Sequence, residues 1–175
     1  MAPYAKYLLL VALALIPAGC RNIDTTDLLA GDAPPPDSAE LAYALANKTW
    51  CTNNEAASLV LALVEGQDNT TAFQERLGAL EARGIVQSQW NLQADQPVTA
   101  GTLGYMVTHA LDIKGGLLYR LIPCRRYAYR EAIDAGLLER GAEYQPLTGP
   151  EVVAVMHRAA AYHEDALAVC PSCGG

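Results

Sequence analysis

A short pattern occurs three times in this chain, and it limits the possible folds more than any other feature of the sequence. Thr52, Thr99 and Thr148 each stand directly before an apolar stretch with helical spacing. The three threonines are 47 and 49 residues apart, since 99 − 52 = 47 and 148 − 99 = 49. Repeats with a period of about 48 residues indicate helical units that pack on one another and share a core.

Each of the three helices is predicted to begin with a threonine cap. A threonine side chain before a helix accepts a hydrogen bond from a free amide of the first turn, and a glutamate three residues later can bond back to the amide of the cap. The first and third repeats have both residues, whereas the second has Thr102 in place of the glutamate, so we expect a weaker helix start there. The predicted structural caps are Thr52 with Glu55, Thr99 alone, and Thr148 with Glu151.

Apolar residues behind the caps fall into matching columns. The first column holds Leu59, Met106 and Val155, and the next holds Val60, Val107 and Met156. Adjacent apolar columns that continue one turn later form the stripe of a helix packed against a core. The sequence therefore predicts three helices that bury the same face.

A second helix, ended by a glycine, precedes two of the three caps. Residues 77–86 and 129–138 have helical patterns that stop at Gly84 and Gly136, and glycine readily takes the left-handed conformation that ends a helix. After each glycine come two aliphatic residues, a polar stretch, a proline and then the capped helix. The repeating unit is therefore helix, glycine stop, extended loop and capped helix. Residues 38–48 supply a more divergent partner helix for the first cap.

This layout resembles the surface-layer homology (SLH) repeat, in which a helix, a Gly-Ile step, a loop aromatic and a proline precede a helix that opens with Thr-Arg-Ala-Glu. The matching residues are Gly84-Ile85, Trp90, Pro97 and Thr99 in one unit, and Gly136-Leu137, Tyr144, Pro146, Thr148 and Glu151 in the other. The resemblance spans roughly residues 38–165. It implies an all-α fold of three related helical units in a pseudo-threefold arrangement, with short extended loops between helices, and it implies binding of cell-wall glycan.

The sequence departs from the SLH pattern at the position after each threonine. SLH repeats commonly have an arginine there that helps to bind acidic cell-wall polysaccharide, whereas this chain has Asn53, Ala100 and Gly149. The anion-binding role therefore does not carry over to these positions. The resemblance then implies a retained fold whose ligand site is lost or rebuilt.

The N-terminus predicts export. Residues 8–16 form an apolar run after Lys6, which is too short to span a bilayer but is typical of a signal peptide, assigned here to residues 1–19. Pro17-Ala18-Gly19-Cys20 resembles the lipobox of bacterial lipoproteins, with Pro17 as a departure from it, and implies lipidation of Cys20. The alternative is an ordinary secretory leader cut near Gly19, which leaves Cys20 free for a disulfide. With either leader the protein leaves the cytosol, and lipidation would place it in the bacterial cell envelope.

The remaining chain divides into a tether, a helical domain and a tail. Residues 20–37 hold four aspartates and three consecutive prolines, a composition typical of an extended linker. Residues 38–169 form the predicted helical domain, and residues 170–175 form a tail with two cysteines. Arg21 follows the predicted lipidated cysteine, and by resemblance to the sorting pattern of Gram-negative lipoproteins it favours the outer membrane, facing the periplasm.

The formal net charge of −7 argues against nucleic-acid binding.

Four cysteines remain if Cys20 carries lipid: Cys51, Cys124, Cys170 and Cys173. An even number of cysteines in an exported protein favours disulfides. Either each of the first two pairs with a tail cysteine, or they pair with each other and the tail pair closes locally. A redox dithiol in the tail and a zinc site from all four are further readings, but one close cysteine pair is a weak signal for either.

Arginines and aromatic residues concentrate in one part of this acidic chain. The candidate glycan or anion contacts are Arg120, Arg125, Arg126, Tyr127 and Trp90. Arginine with tyrosine suits a saccharide or an anionic polymer, because the guanidinium binds in planar fashion and the rings stack. The alternative is a solvated helix face on which the arginines pair with Glu131, Asp134 or Glu139.

The sequence thus predicts a non-enzymatic envelope lipoprotein, attached to the membrane by lipid, whose SLH-like domain contacts cell-wall glycan or another envelope protein. No catalytic residue, cofactor or metal is assigned. The alternative function is a small periplasmic thiol-redox or metal-binding protein that uses Cys51, Cys124, Cys170 and Cys173.

Overall fold

The computed structural model describes the backbone of residues 36–169 and the side chains of residues 40–166. The predicted signal peptide, Cys20, nearly all of the tether and both tail cysteines lie outside the described residues. The described helices are α1 (Pro36–Leu45), α2 (Asn53–Glu65), α3 (Phe73–Ala82), α4 (Ala100–Ala110), α5 (Leu117–Leu121), α6 (Arg125–Asp134) and α7 (Gly149–Val169), with a 3₁₀ turn at Ser88–Trp90. The described range contains no sheet, and the all-α prediction is confirmed.

The first and third repeats begin with reciprocal capping boxes. The amide of Thr52 donates to Glu55 Oε2 at 2.9 Å, and the amide of Glu55 donates to Thr52 Oγ1 at 3.3 Å. At α7, the amide of Thr148 donates to Glu151 Oε2 at 2.7 Å, and the amide of Glu151 donates to Thr148 Oγ1 at 3.4 Å. Each box satisfies helix-end donors that have no partner inside the helix.

The helix of the second repeat has a cap without a carboxylate. Thr99 Oγ1 accepts a hydrogen bond of 3.3 Å from the amide of Thr102, whose own hydroxyl lies 2.9 Å from that of Thr99. Thr102 is buried, unlike Glu55 and Glu151. A carboxylate at this position would be withdrawn from water, which explains why a threonine stands here.

The predicted glycine stops end α3 and α6 in the same way. Gly84 and Gly136 have φ values of +71° and +75°, the left-handed conformation that glycine adopts without strain. In each case the following amide turns back to the helix, from Ile85 to the carbonyl of Leu80 and from Leu137 to that of Ala132. The helices themselves lie about one turn earlier than the predicted ranges 77–86 and 129–138. The aliphatic pairs after the glycines lie in the loops, as the predicted unit has them, and they are buried.

The segments directly before the three caps meet in a closed ring of backbone hydrogen bonds. The amide of Val98 donates to the carbonyl of Cys51 at 2.8 Å, and the amide of Leu147 donates to Val98 at 2.9 Å. The amide of Cys51 closes the ring by donating to Leu147 at 3.0 Å. All three residues are buried. The ring fixes the three helix starts beside one another, while the pseudo-threefold arrangement of the complete units stays a prediction.

Helices pack in pairs that differ from the units seen in the sequence. The most extensive helix contacts join α4 to α6 and α2 to α3, and α2 also packs on α4 and α7. The sequence unit joins each capped helix to the helix before it, but α2 and α4 pack mainly on a helix that follows them. Along the predicted stripe, Leu59, Met106 and Val155 are buried in one continuous core.

The positions after the capping threonines have no access to solvent. Asn53, Ala100 and Gly149 are all buried. Asn53 Nδ2 donates to the carbonyl of Gln93 at 2.9 Å, and a Cβ atom on Gly149 would lie 1.9 Å from the carbonyl oxygen of Leu45. An arginine could not stand at position 149, so the departure from the SLH pattern there has a steric reason.

Candidate functional site

The structure distributes the predicted arginine and aromatic residues over three surfaces. Arg125 packs on Trp90, Arg126 lines an open groove along α6, and Arg120 lies exposed on the short helix α5. Tyr127 is half-buried against a small aromatic cluster. The predicted site is therefore not one patch, and each surface has to be considered by itself.

Arg125 and Trp90 contact each other directly. The guanidinium carbon of Arg125 lies 4.9 Å from the centre of the Trp90 ring, and Arg125 Nη1 donates to Thr102 Oγ1 at 3.4 Å. Tyr105 meets the same indole edge-on, with ring centres 4.7 Å apart. The cation therefore covers Trp90 in a cation–π contact, which stabilises the junction of the 3₁₀ turn with α6.

The aromatic contacts continue from Tyr105 to α5. The rings of Tyr105 and His109 stack with centres 3.8 Å apart, and Tyr119 Oη lies 3.0 Å from His109 Nδ1. Burial lowers the pKa of His109 and raises the pKa values of Tyr105 and Tyr119, so all three side chains stay neutral at pH 7. The cluster is a second small core that holds α5 against α4 and α6.

The groove along α6 brings three arginines together. Arg126 and Arg130 stand one turn apart on α6, and Arg140 reaches the groove from the loop after α6. The groove has a volume of about 620 Å³, and Tyr144, 76% exposed, forms part of its wall. Arg140 also lines an adjoining cavity of about 360 Å³ beside the start of α7.

The loop that carries Arg140 is fixed by a buried tyrosine. Tyr129 Oη accepts a hydrogen bond of 2.8 Å from the amide of Gly141 and donates to the carbonyl of Glu139 at 3.3 Å. These two bonds bracket Arg140 in the chain. The position of its backbone relative to α6 is thereby set by the packed core.

The arginines of the groove have no carboxylate partner among the described side chains. Ion pairs in that range join Lys48 to Glu55, Arg76 to Asp68, Arg83 to Glu65, and Arg158 to Glu139. The expected pairing of the clustered arginines with Glu131, Asp134 or Glu139 is therefore not found among the described side chains, although Arg126 and Arg130 do lie exposed on α6, as on a solvated helix face. Glu139 pairs with Arg158, and Glu131 accepts from the amide of Gly116 at 2.9 Å.

Free guanidinium groups in an open groove suit an extended anionic ligand. A guanidinium presents a planar fork of donors that matches a carboxylate or a phosphate with two parallel hydrogen bonds. Asp134 and Glu143 also line the groove, so the three arginines leave it with a formal excess of one positive charge (+3 − 2 = +1). An exposed tyrosine at the wall adds a flat face against which a sugar ring can pack.

Within the described part of the chain, Cys51 and Cys124 are not joined to each other by a disulfide. Cys51 is fully buried, and burial raises the pKa of its thiol to about 12. Cys124 is half-buried at the start of α6. The predicted alternative of a Cys51–Cys124 disulfide is thus wrong for this structure, whereas pairing with the tail cysteines falls outside the described residues. Among residues 36–169, no group of three or more His, Cys, Asp or Glu side chains is placed to hold a metal ion.

Sequence reasoning missed Arg140 and treated Tyr144 only as the loop aromatic of the repeat. Arg140 follows the glycine stop at Gly136 by four positions, but the matching position after Gly84 is Ser88, so the repeat carries no signal for it. Within the described residues, no helix is long and apolar enough to cross a bilayer.

Comparison of the chain with protein-family models, with curated proteins and with solved structures finds no match in any of the three.

Proposed function

We propose that this chain is a non-enzymatic lipoprotein of the bacterial envelope whose SLH-like domain binds anionic cell-wall glycan in the α6 groove. One observation carries the proposal. Arg126, Arg130 and Arg140 line the same open groove, and none of them pairs with a carboxylate of the described side chains. Nothing in the packing of the domain requires three unpaired cations at this place.

The charge distribution supports an anionic ligand. The chain has a formal net charge of −7, yet residues 113–130 contain five basic residues and no acidic one. A local positive surface on an acidic protein attracts anions there while the remaining surface repels them. This contrast in charge directs an anionic ligand to the positive face of the protein and favours one orientation of the ligand on it.

The groove also accounts for the departure from the SLH pattern. The position after each capping threonine, which is an arginine in SLH repeats, is buried in this chain. In our proposal the anion-binding arginines are supplied instead by α6 and the loop that follows it. The ring formed by Cys51, Val98 and Leu147 supports the pseudo-threefold arrangement of the three units.

Attachment to the envelope rests on the sequence. In our proposal, lipid on Cys20 fixes the chain to the outer membrane, and residues 20–37 form an extended linker between this anchor and the domain on the periplasmic side. The intact mass of the mature protein tests this part. A mass that corresponds to an unmodified chain cut near Gly19 would contradict lipidation without affecting the groove.

A sedimentation experiment with purified cell-wall sacculi tests the glycan site. We expect the full chain to sediment with sacculi stripped of protein, and we expect the Arg126→Gln/Arg130→Gln double variant to bind about tenfold or more weakly. Added salt should weaken the binding of the wild-type chain, because the contacts are electrostatic. Arg83→Gln is the matched control, since Arg83 is paired with Glu65 outside the groove.

Two outcomes would contradict the proposal. If the double variant binds stripped sacculi as well as the wild-type chain does, the groove is not the glycan site. If the wild-type chain binds only sacculi that retain their proteins, the ligand is an envelope protein, which is the partner class that the sequence leaves as an alternative. Thermal unfolding of both variants controls for folding, and we expect no change because both α6 arginines are exposed.

A further inference from the structure

The segment around α5 exposes more large aliphatic side chains than any comparable stretch of the described chain. Leu117, Leu118, Leu121 and Ile122 are 74%, 57%, 69% and 55% exposed. Other large exposed apolar residues stand singly, such as Tyr43 and Val64. Scattered apolar residues on a surface are ordinary, but a contiguous group marks an interaction site.

The exposed leucines are presented by a segment that is held firmly in place. Tyr119, which lies between them in the chain, is buried, and its hydroxyl contacts His109. The amide of Gly116 donates to Glu131 Oε1 at 2.9 Å. A Cβ atom on Gly115 would lie 2.5 Å from the ring of Tyr119 and 2.8 Å from the side chain of Glu131, so only glycine fits this approach. The packing thus fixes one side of α5 and leaves its leucines facing outward.

Basic residues flank the exposed leucines. Lys114 precedes them and Arg120 stands among them, and both are exposed and without an ion pair among the described side chains. Asp112 lies just before this segment and Glu131 is half-buried behind it. The outward surface of residues 114–122 is therefore aliphatic and positively charged.

We infer that residues 114–122 form a membrane-contact surface that inserts its aliphatic side chains into the interface of an anionic bilayer. Aliphatic side chains next to lysine and arginine match the acyl boundary and the phosphate layer of such a membrane at the same time. Lysine and arginine side chains are long enough to keep their charged ends at the headgroups while neighbouring aliphatic side chains are buried. The inference does not depend on glycan binding in the α6 groove.

A second copy of this chain fits the surface less well. A symmetric dimer through this surface would place Lys114 and Arg120 of both copies in one interface, because the same patch is used on both sides. Like charges held close together across an interface oppose association. An anionic lipid surface has the complementary charge and needs no shaped groove.

Hydrogen exchange of the full mature chain on vesicles tests the inference. We expect amides of residues 115–122 to exchange several-fold more slowly with vesicles of phosphatidylcholine and phosphatidylglycerol than with buffer alone. Vesicles of phosphatidylcholine only should give less protection. The readout remains valid if lipid already anchors the chain, because it reports on this segment and not on attachment.

The Leu118→Ser/Leu121→Ser variant should lose the protection while its thermal midpoint stays unchanged, since both side chains are exposed. Tyr43→Ser is the control, because Tyr43 is 78% exposed but lies on α1. Equal exchange with and without vesicles would overturn the inference. Slow exchange of residues 115–122 that is already present without vesicles, and that vesicles do not change, would also overturn it. If that protection depends on protein concentration, a second copy covers the patch. If it does not, a segment of the same chain covers it.

Discussion

The amide of Cys51 donates a hydrogen bond to the carbonyl oxygen of Leu147 at 3.0 Å, which joins the residue before the first cap to the residue before the third. This bond closes the ring through Val98, so the first and last repeats are held together at the centre of the domain. A backbone hydrogen bond contributes about 1 kcal/mol, and more is lost if a buried partner is left without one. The three repeats should therefore unfold together as one cooperative unit.

Gly149 is the most restrictive position at this centre. A Cβ atom there would lie 1.9 Å from the carbonyl oxygen of Leu45, so Gly149→Ala requires a backbone shift and should lower the free energy of unfolding by about 3 kcal/mol or more. Gly78→Ala is the control, because Gly78 lies inside α3 with nothing within 4 Å of the added atom. That variant should gain about 0.5 to 1 kcal/mol. Urea unfolding measures the change in the free energy of unfolding for both variants. Equal changes would show that the close approach of Gly149 to the carbonyl of Leu45 is not maintained.

Asp68 should make the domain sensitive to acid. Burial by itself would raise the pKa of this carboxyl, but hydrogen bonds from Ser58, Thr70 and Arg76 outweigh burial and lower it to about 2. A lowered pKa means stabilisation that is complete above pH 4 and is lost as the pH falls through the folded value. Asp68→Asn should therefore cost about 2 kcal/mol at pH 7 and show less loss of stability below pH 4.

Unfolding of Asp68→Asn and of a control measured at several pH values tests this prediction. Asp95→Asn is a suitable control, because Asp95 is exposed and makes no side-chain hydrogen bond among the described residues. Identical pH profiles for Asp68→Asn and the wild-type chain would show that Asp68 does not carry the acid sensitivity.

His109 should add a separate pH dependence at milder acidity. Burial among aromatic rings lowers its pKa, against the opposing effects of its hydrogen bond to the Tyr105 carbonyl and of the charge on Asp112. The unfolded chain then takes up a proton at a higher pH than the folded chain does, so stability falls as the pH drops below about 6.5. His109→Gln should remove this step, whereas the exposed His163→Gln variant should retain it. An NMR titration in which His109 protonates above pH 6.5 would contradict the prediction.

Cys51 should be inert to alkylation in the folded protein. Its side chain is fully buried, and with its pKa raised to about 12 almost no thiolate is present at pH 8. Iodoacetamide should therefore leave Cys51 unmodified under native conditions and modify it fully after unfolding without reductant, as peptide mass analysis would show. The half-buried Cys124 is the internal comparison and should react sooner. A Cys51 that stays unmodified in the unfolded, non-reduced chain would show that it is held in a disulfide.

The fold was predictable from the sequence wherever it follows local rules. The box at Thr52 and the stop at Gly84 depend on residues a few positions apart, so their sequence patterns identify them. The two helices begin about one turn earlier than predicted, at Phe73 and Arg125. Ile85 and Leu137 follow the glycine stops as predicted, but only tertiary packing buries them in the loops. Local periodicity does not distinguish a buried loop from a buried helix.

The sequence by itself determined the all-α class of the described domain, with its three capped helices and two glycine stops. Tertiary structure alone decided which residues meet. It brought Arg125 over Trp90, placed Arg140 beside Arg126, and turned Leu118 outward while burying Tyr119. Caps and stops form through short-range hydrogen bonds, whereas a groove or an exposed patch depends on how distant helices pack. The repeat thus specifies where the capped helices begin, and the packing of α5 and α6 specifies the groove and the exposed aliphatic patch on the surface of the domain.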